Sequence, residues 1–320
     1  MTDENPIAPE PGRGDASLDR MEASLNKVFV GRQGIRAGWR LLVYVVIVAV
    51  ISGVLMLTLI KKFGPPTGTP GPFQLMGQEV VSFAAVFAAA AIMALIERRK
   101  IGAYGLPAIE IFGRKFWLGF LFGLLEIGAL IGLITAFHGY SFGTLALAGN
   151  AILKWGLFHL ILFTFVGLFE EFLFRGYVQY TLTDGIGFWP AAILLSVLFG
   201  GVHLRNPGEG WVGAAGVVTV ALLFCFSLKR TGNLWYAVGL HASFDWGETY
   251  LFSVPNSGVV LQGHLSHSLL HGPSWLTGGT VGPEGSVFCF LTLGLQFLVV
   301  NWLFPARKTE VAPDAVPVES

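Results

Sequence analysis

Residues 162–179 read LFTFVGLFEEFLFRGYVQ. Glu170, Glu171 and Arg175 stand inside an apolar run, and each charge at a bilayer centre costs about 2.5–3.5 kcal/mol on the insertion scale. On a helix Glu171 and Arg175, four residues apart, share a face and can pair. Glu170 then points about 100° away and is free for another task. A self-neutralising pair that reaches the headgroups accounts for Glu171 and Arg175 but leaves Glu170 without a partner.

The rest of the chain agrees with a membrane setting. Of 320 residues, 53% are hydrophobic and 12% charged, and the mean hydropathy is +0.66. A soluble domain carries about 25% charged residues. Half of that cannot cover a water-facing surface, which excludes an ordinary cytosolic enzyme, and the apolar content excludes a disordered chain. Twenty basic and twenty acidic residues cancel, so nothing points to a nucleic-acid partner. Cys225 and Cys289 both fall in apolar runs, with neither zinc spacing nor a disulfide framework.

The expected architecture is all-α, a polytopic helical bundle of about eight spans, near 39–60, 74–96, 116–137, 152–174, 188–204, 211–229, 234–252 and 286–304. No window alternates as a transmembrane strand does. Residues 1–38 read as a polar cytoplasmic tail, 39–305 as the membrane domain and 306–320 as a second polar tail. With both termini in the cytoplasm, sixteen of the twenty basic residues fall on the cytoplasmic side, and Lys61, Lys62, Lys154 and Arg205 on the other. The third span carries Gly119-x-x-x-Gly123 and Gly128-x-x-x-Gly132, spacings that let helices approach closely. Packing within the monomer is the expected use, a dimer face the alternative.

Two further apolar runs hold polar groups at helical spacing. LLSVLFGGVHLRN (194–206) puts Phe199 and His203 on one face. GNLWYAVGLHASFDWGE (232–248) puts His241, Asp245 and Glu248 near one face. A carboxylate one turn from an imidazole can fix its tautomer. Carboxylates and imidazoles from three helices, meeting in one cavity, could activate a water and stabilise an oxyanion. They could also bind a divalent metal.

At these residues the sequence resembles the CAAX-protease and bacteriocin-processing (CPBP, or Abi) family of intramembrane proteases, over roughly 155–250. The motifs are Glu170-Glu171-x-x-x-Arg175, Phe199-x-x-x-His203 and His241-x-x-x-Asp245. The resemblance implies a multi-pass enzyme, expected in a bacterial inner membrane. It implies hydrolysis of a peptide bond in a membrane-associated substrate, CAAX-like and lipidated in the prenyl-protease branch. Carried over, Glu170 and His203 activate water, His241 with Asp245 stabilises the oxyanion, and Glu171 with Arg175 is a structural pair. The prenyl-protease branch has Asn where this chain has Asp245. An ionised Asp only accepts hydrogen bonds, so Asp245 is either protonated or serves to orient His241. The expected mechanism needs no cofactor. Members have also been labelled metalloproteases, and a zinc ion here would take Glu170, His203 and His241 as ligands.

The alternative function is a non-catalytic scaffold or a proton-coupled small-molecule transporter, for which Glu126, in FGLLEIGALIG (122–132), is the motivating residue. As an accessory residue, Glu126 is expected to accept from Arg175 or His203 across the bundle. Glu79 reads as interfacial. His264, His267 and His271 have a spacing that could seat a metal, although loop histidines are more often incidental.

Overall fold

A computed structural model describes residues 30–31, 34–64 and 71–306. The polar tails read over 1–38 and 306–320 lie outside the described residues except at their inner ends. A two-residue pairing of β1 (Val30–Gly31) with β2 (Gly34–Ile35) precedes α1 (Ala37–Phe63) and α2 (Pro72–Ile96). Then come α3 (Arg114–Ala136), α4 (Asn150–Arg175), α5 (Tyr177–Ile186), α6 (Phe188–His203) and α7 (Trp211–Thr231). The helix α8 (Trp235–Trp246) runs on through a π-helical turn, Gly247–Leu251. A long loop follows, in which β4 (Leu269–Leu270) pairs with β3 (Tyr140–Ser141), before a short α9 (Ser274–Thr277) and α10 (Val287–Leu303).

Eight apolar helices occur where eight spans are read, but they are not eight helices of spanning length. Five stretches are long and apolar enough to cross a membrane: α1, α2, α3, α4 together with α5, and α7. This makes the chain a multi-pass membrane protein. The others are shorter, at 16 residues for α6, 12 for α8 before its π turn and 17 for α10. At 1.5 Å per residue α6 covers about 24 Å, short of the roughly 30 Å of hydrocarbon. The apolar runs read at 188–204, 234–252 and 286–304 place the ends of these segments to within one residue.

The bundle is built around α8, which packs closely on α3 and α4. Every residue from Trp235 to Leu240 is buried, so the helix is apolar on all sides where it begins. Glycine makes the α3–α8 approach possible. A Cβ on Gly119 would collide with the carbonyl of Tyr236, and one on Gly123 with the Leu240 carbonyl and the Ser243 hydroxyl. Gly239 meets the Phe116 carbonyl in the same way. Gly119 and Gly123 therefore pack within the chain, whereas a Cβ on Gly128 or Gly132 would meet nothing within 4 Å.

At the bundle's edge, α1 is held by Arg40. Its guanidinium donates to both carboxylate oxygens of Glu97, at 2.9 and 2.8 Å, and to Asp184 at 2.9 Å. The hydroxyls of Tyr104 and Tyr177 also donate to Glu97. Burial alone would raise the Glu97 carboxyl, but these donors outweigh it and hold it below its ordinary range.

Replacing Gly123 by Val should cost on the order of 1–3 kcal/mol by overpacking and lower the thermal midpoint in detergent. Gly128→Val, facing open space, should leave the midpoint nearly unchanged.

Candidate active site

The α4–α8 crossing sets the site. Gly167 faces α8, where an added Cβ would lie 3.2 Å from the Val238 carbonyl and 3.5 Å from the His241 Cβ. One turn along α4 this close approach brings Glu171 to His241. The Nδ1–H of His241 donates to Glu171 Oε1 at 3.0 Å, and the same oxygen pairs with Arg175 at 3.3 Å. Glu171 and Arg175 are fully buried, so this pair does not reach the headgroups. The Arg175 guanidinium lies over the Phe199 ring at 4.4 Å, and Phe174 and Phe224 flank it at 5.6 Å each. Rings replace part of the solvation that a buried cation has lost.

With Nδ1 held, His241 turns Nε2 toward two other carboxylates. Glu170 Oε2 is 3.8 Å away and Asp245 Oδ2 is 3.5 Å away. Both distances are long for hydrogen bonds, which leaves room for rearrangement around a bound molecule. Phe224 stacks on the imidazole at 5.4 Å with 14° between the planes. The orienting carboxylate of His241 is thus Glu171, on the neighbouring helix, and Asp245 faces the opposite ring nitrogen.

His203 ends α6. Its Nδ1 lies 2.8 Å from the Phe199 carbonyl, which can only accept, so Nδ1 carries a proton and Nε2 is left outside that bond. The Phe199 and His203 rings are 4.4 Å apart. Phe199 therefore has two roles, backing Arg175 on one side and seating His203 on the other. His203, His241 and Asp245 all line one cavity of about 80 Å³. Among the described residues no hydrogen bond or ion pair joins His203 to Glu170, which meets the cluster through His241 instead.

Several residues sit in surroundings that the sequence did not announce. Glu126 is buried but reaches neither Arg175 nor His203. Its neighbours are Thr292 and Gln296 of α10, and Gln296 is turned to donate to the Phe122 carbonyl at 2.7 Å. Both Glu126 oxygens are unpartnered, and the residue lines the same cavity. Glu79 turns inward toward the cluster. Its Oε2 is buried without a partner, and its charged neighbours are Glu170, His241 and Asp245. The available signal was a carboxylate seven residues into an apolar helix with no basic residue at pairing distance along it. The loop histidines do not converge. His264 bonds the Leu261 carbonyl at 2.9 Å, His271 bonds Ser141 at 2.9 Å, and the His264 and His267 rings are 6.3 Å apart.

Glu170, His203 and His241 do not fit a metal as placed. Among the described residues no three His, Cys, Asp or Glu side chains converge closely enough to hold an ion.

The protein thus carries a buried carboxylate–imidazole cluster beside a cavity in a multi-pass helical bundle. Residues 152–247 match the type II CAAX prenyl endopeptidase Rce1-like family, a hydrolase class, and this stretch is a domain of that family. The match covers α4 to α8 and contains all three motifs. No curated protein and no solved structure matches the chain.

Arg175→Met removes the cation from a fully buried pair and should destabilise the protein by roughly 3 kcal/mol. Adding Glu171→Gln to it should recover part of that loss. Unfolding in detergent, followed by tryptophan fluorescence, measures both.

Proposed function

We propose that the protein is an intramembrane endopeptidase that hydrolyses a peptide bond in a membrane-associated substrate, with Glu170 as general base. The observation that carries this reading is the different surroundings of the two imidazoles. His203 is held through Nδ1 by a backbone carbonyl and its neutral ring would accept at Nε2, whereas His241, donating from Nδ1 to Glu171, faces two carboxylates with Nε2 and is suited to hold a proton there. One histidine can accept from a water while the other donates to an oxyanion.

The chemistry follows from those states. Glu170 takes a proton from water, which His203 positions through Nε2, and the oxygen attacks the scissile carbonyl carbon. The negative charge that develops on the carbonyl oxygen meets the Nε2–H of His241, which Glu171 holds in place. Collapse breaks the carbon–nitrogen bond, and the proton on Glu170 passes to the leaving amine. Asp245 acts as an acceptor that stabilises the protonated imidazole. The Rce1-like domain supports a protein or peptide substrate, and a lipidated C-terminal peptide is the first one to try. The sixteen-to-four bias of basic residues supports cytoplasmic termini. The transporter reading takes Glu126 and the polar cavity together as a proton path, and Glu126 does line the cavity that holds His203 and His241; proton-coupled uptake that survives Glu170→Ala but not Glu126→Ala would favour it.

Purified protein in detergent should cleave a farnesylated or hydrophobic peptide. Glu170→Ala should slow it by at least about a hundredfold, and undiminished cleavage would sink the assignment. Asp245→Asn, which keeps an acceptor and adds a donor, should stay within about tenfold of the parent. A loss as deep as that of Glu170→Ala would make the ionised carboxylate essential.

A further inference from the structure

The loop that follows the π turn brings one more polar group to the cavity. Asn256 lines it together with His203, His241 and Asp245. Its carboxamide faces the Asp245 carboxylate, yet its Nδ2 is closed off from solvent and makes no hydrogen bond among the described residues. A buried donor without an acceptor is costly to keep, and its retention calls for a reason.

The backbone that carries this donor is held tightly. Asn256 and Val259 exchange N–H···O=C bonds at 3.0 and 2.9 Å, with φ of 49° at Ser257 and 78° at Gly258 between them. Positive φ at both central residues defines a type I′ turn, a strained conformation for serine. Two bonds from outside the turn fix it. The Ser257 N–H donates to Glu284 Oε1 at 2.6 Å and the Gly258 N–H to the Val281 carbonyl at 2.8 Å. On its other side a Cβ on Gly258 would collide with the carbonyl of Pro207, in the loop that leaves His203.

The oxyanion of the hydrolysis has so far a single donor, Nε2 of His241. The Asp245 carboxylate only accepts. It lies 3.5 Å from that nitrogen and faces Asn256 as well, so the two donors flank it. An oxyanion hole is effective when its donors are in place before charge develops, and a carboxamide on a pinned turn meets that condition.

We propose that Asn256 is a catalytic residue whose Nδ2–H is the second donor to the oxyanion, beside the Nε2–H of His241. It stands outside residues 152–247, which carry the family match. The assignment rests on the endopeptidase reading for the reaction, but not for a donor that binds an anionic oxygen.

Asn256→Leu and Asn256→Asp both remove the donor at nearly constant volume. Each should lower kcat on a hydrophobic peptide by about a hundredfold and leave KM nearly unchanged, because the donor meets only the charged oxygen. Nδ2 has no partner to orphan, so Asn256→Leu should hold or raise the thermal midpoint in detergent. A purely structural amide would lower it. A hydrophobic peptide phosphinate, a stable tetrahedral anion, should bind both variants more weakly by a factor similar to the loss in kcat. Full kcat in both variants, or a phosphinate bound equally by all three proteins, would overturn the role of Asn256. Phosphinate binding that depends on Asn256, with no peptide cleaved, would sustain the donor and sink the endopeptidase reading. A parent protein that neither cleaves peptide nor binds the phosphinate would sink both.

Discussion

A single carboxylate oxygen, Oε1 of Glu171, accepts from Arg175 along its own helix and from His241 across the bundle. In a low-dielectric interior neither cation nor anion is tolerable alone, so the three side chains stand or fall together. The aromatic rings of Phe174, Phe199 and Phe224 exist in that neighbourhood as much for Arg175 and His241 as for packing. Once His241 is fixed through Nδ1, the direction of Nε2 is fixed too, and with it the meeting of Glu170 and Asp245. The adjacent glutamates of α4 thus face different tasks because a helix turns them about 100° apart.

This arrangement depends on how closely backbones approach. Gly167 lets α4 near α8, while Gly119, Gly123 and Gly239 let α3 press on the opposite flank. The central helix is enclosed by its neighbours where it begins, and its polar residues come only afterwards, at His241, Asp245 and Glu248. The short helices matter for the same reason. The helix α6 ends at His203 itself, so a side chain from its last turn can reach the cavity.

Much of this could be read from the sequence, and the physical reason is consistent. A charge in an apolar run is expensive, so Glu170, Glu171, Arg175, His241 and Asp245 stood out, and partners three or four residues apart along one helix could be named. The Gly119–Gly123 spacing was legible because close approach requires small residues. What the sequence left hidden were partners on other helices. Glu171 appeared to have one donor, Arg175, and has a second in His241. The neighbours of Glu79 lie some ninety to one hundred and seventy residues away in the chain, and Glu284 drew no notice because it sits in a loop. Hydropathy located α6, α8 and α10 and their ends, but could not show that α8 loosens into a π turn at Gly247.

The coupling of Glu171 to His241 is the claim on which the rest hangs, and a double-mutant cycle on peptide hydrolysis measures it most directly. Glu171→Gln and His241→Asn, singly and together, should show strong non-additivity, with the double variant little slower than the slower single variant. Losses that simply multiply would mean that Glu171 does not act through His241, and would contradict the account.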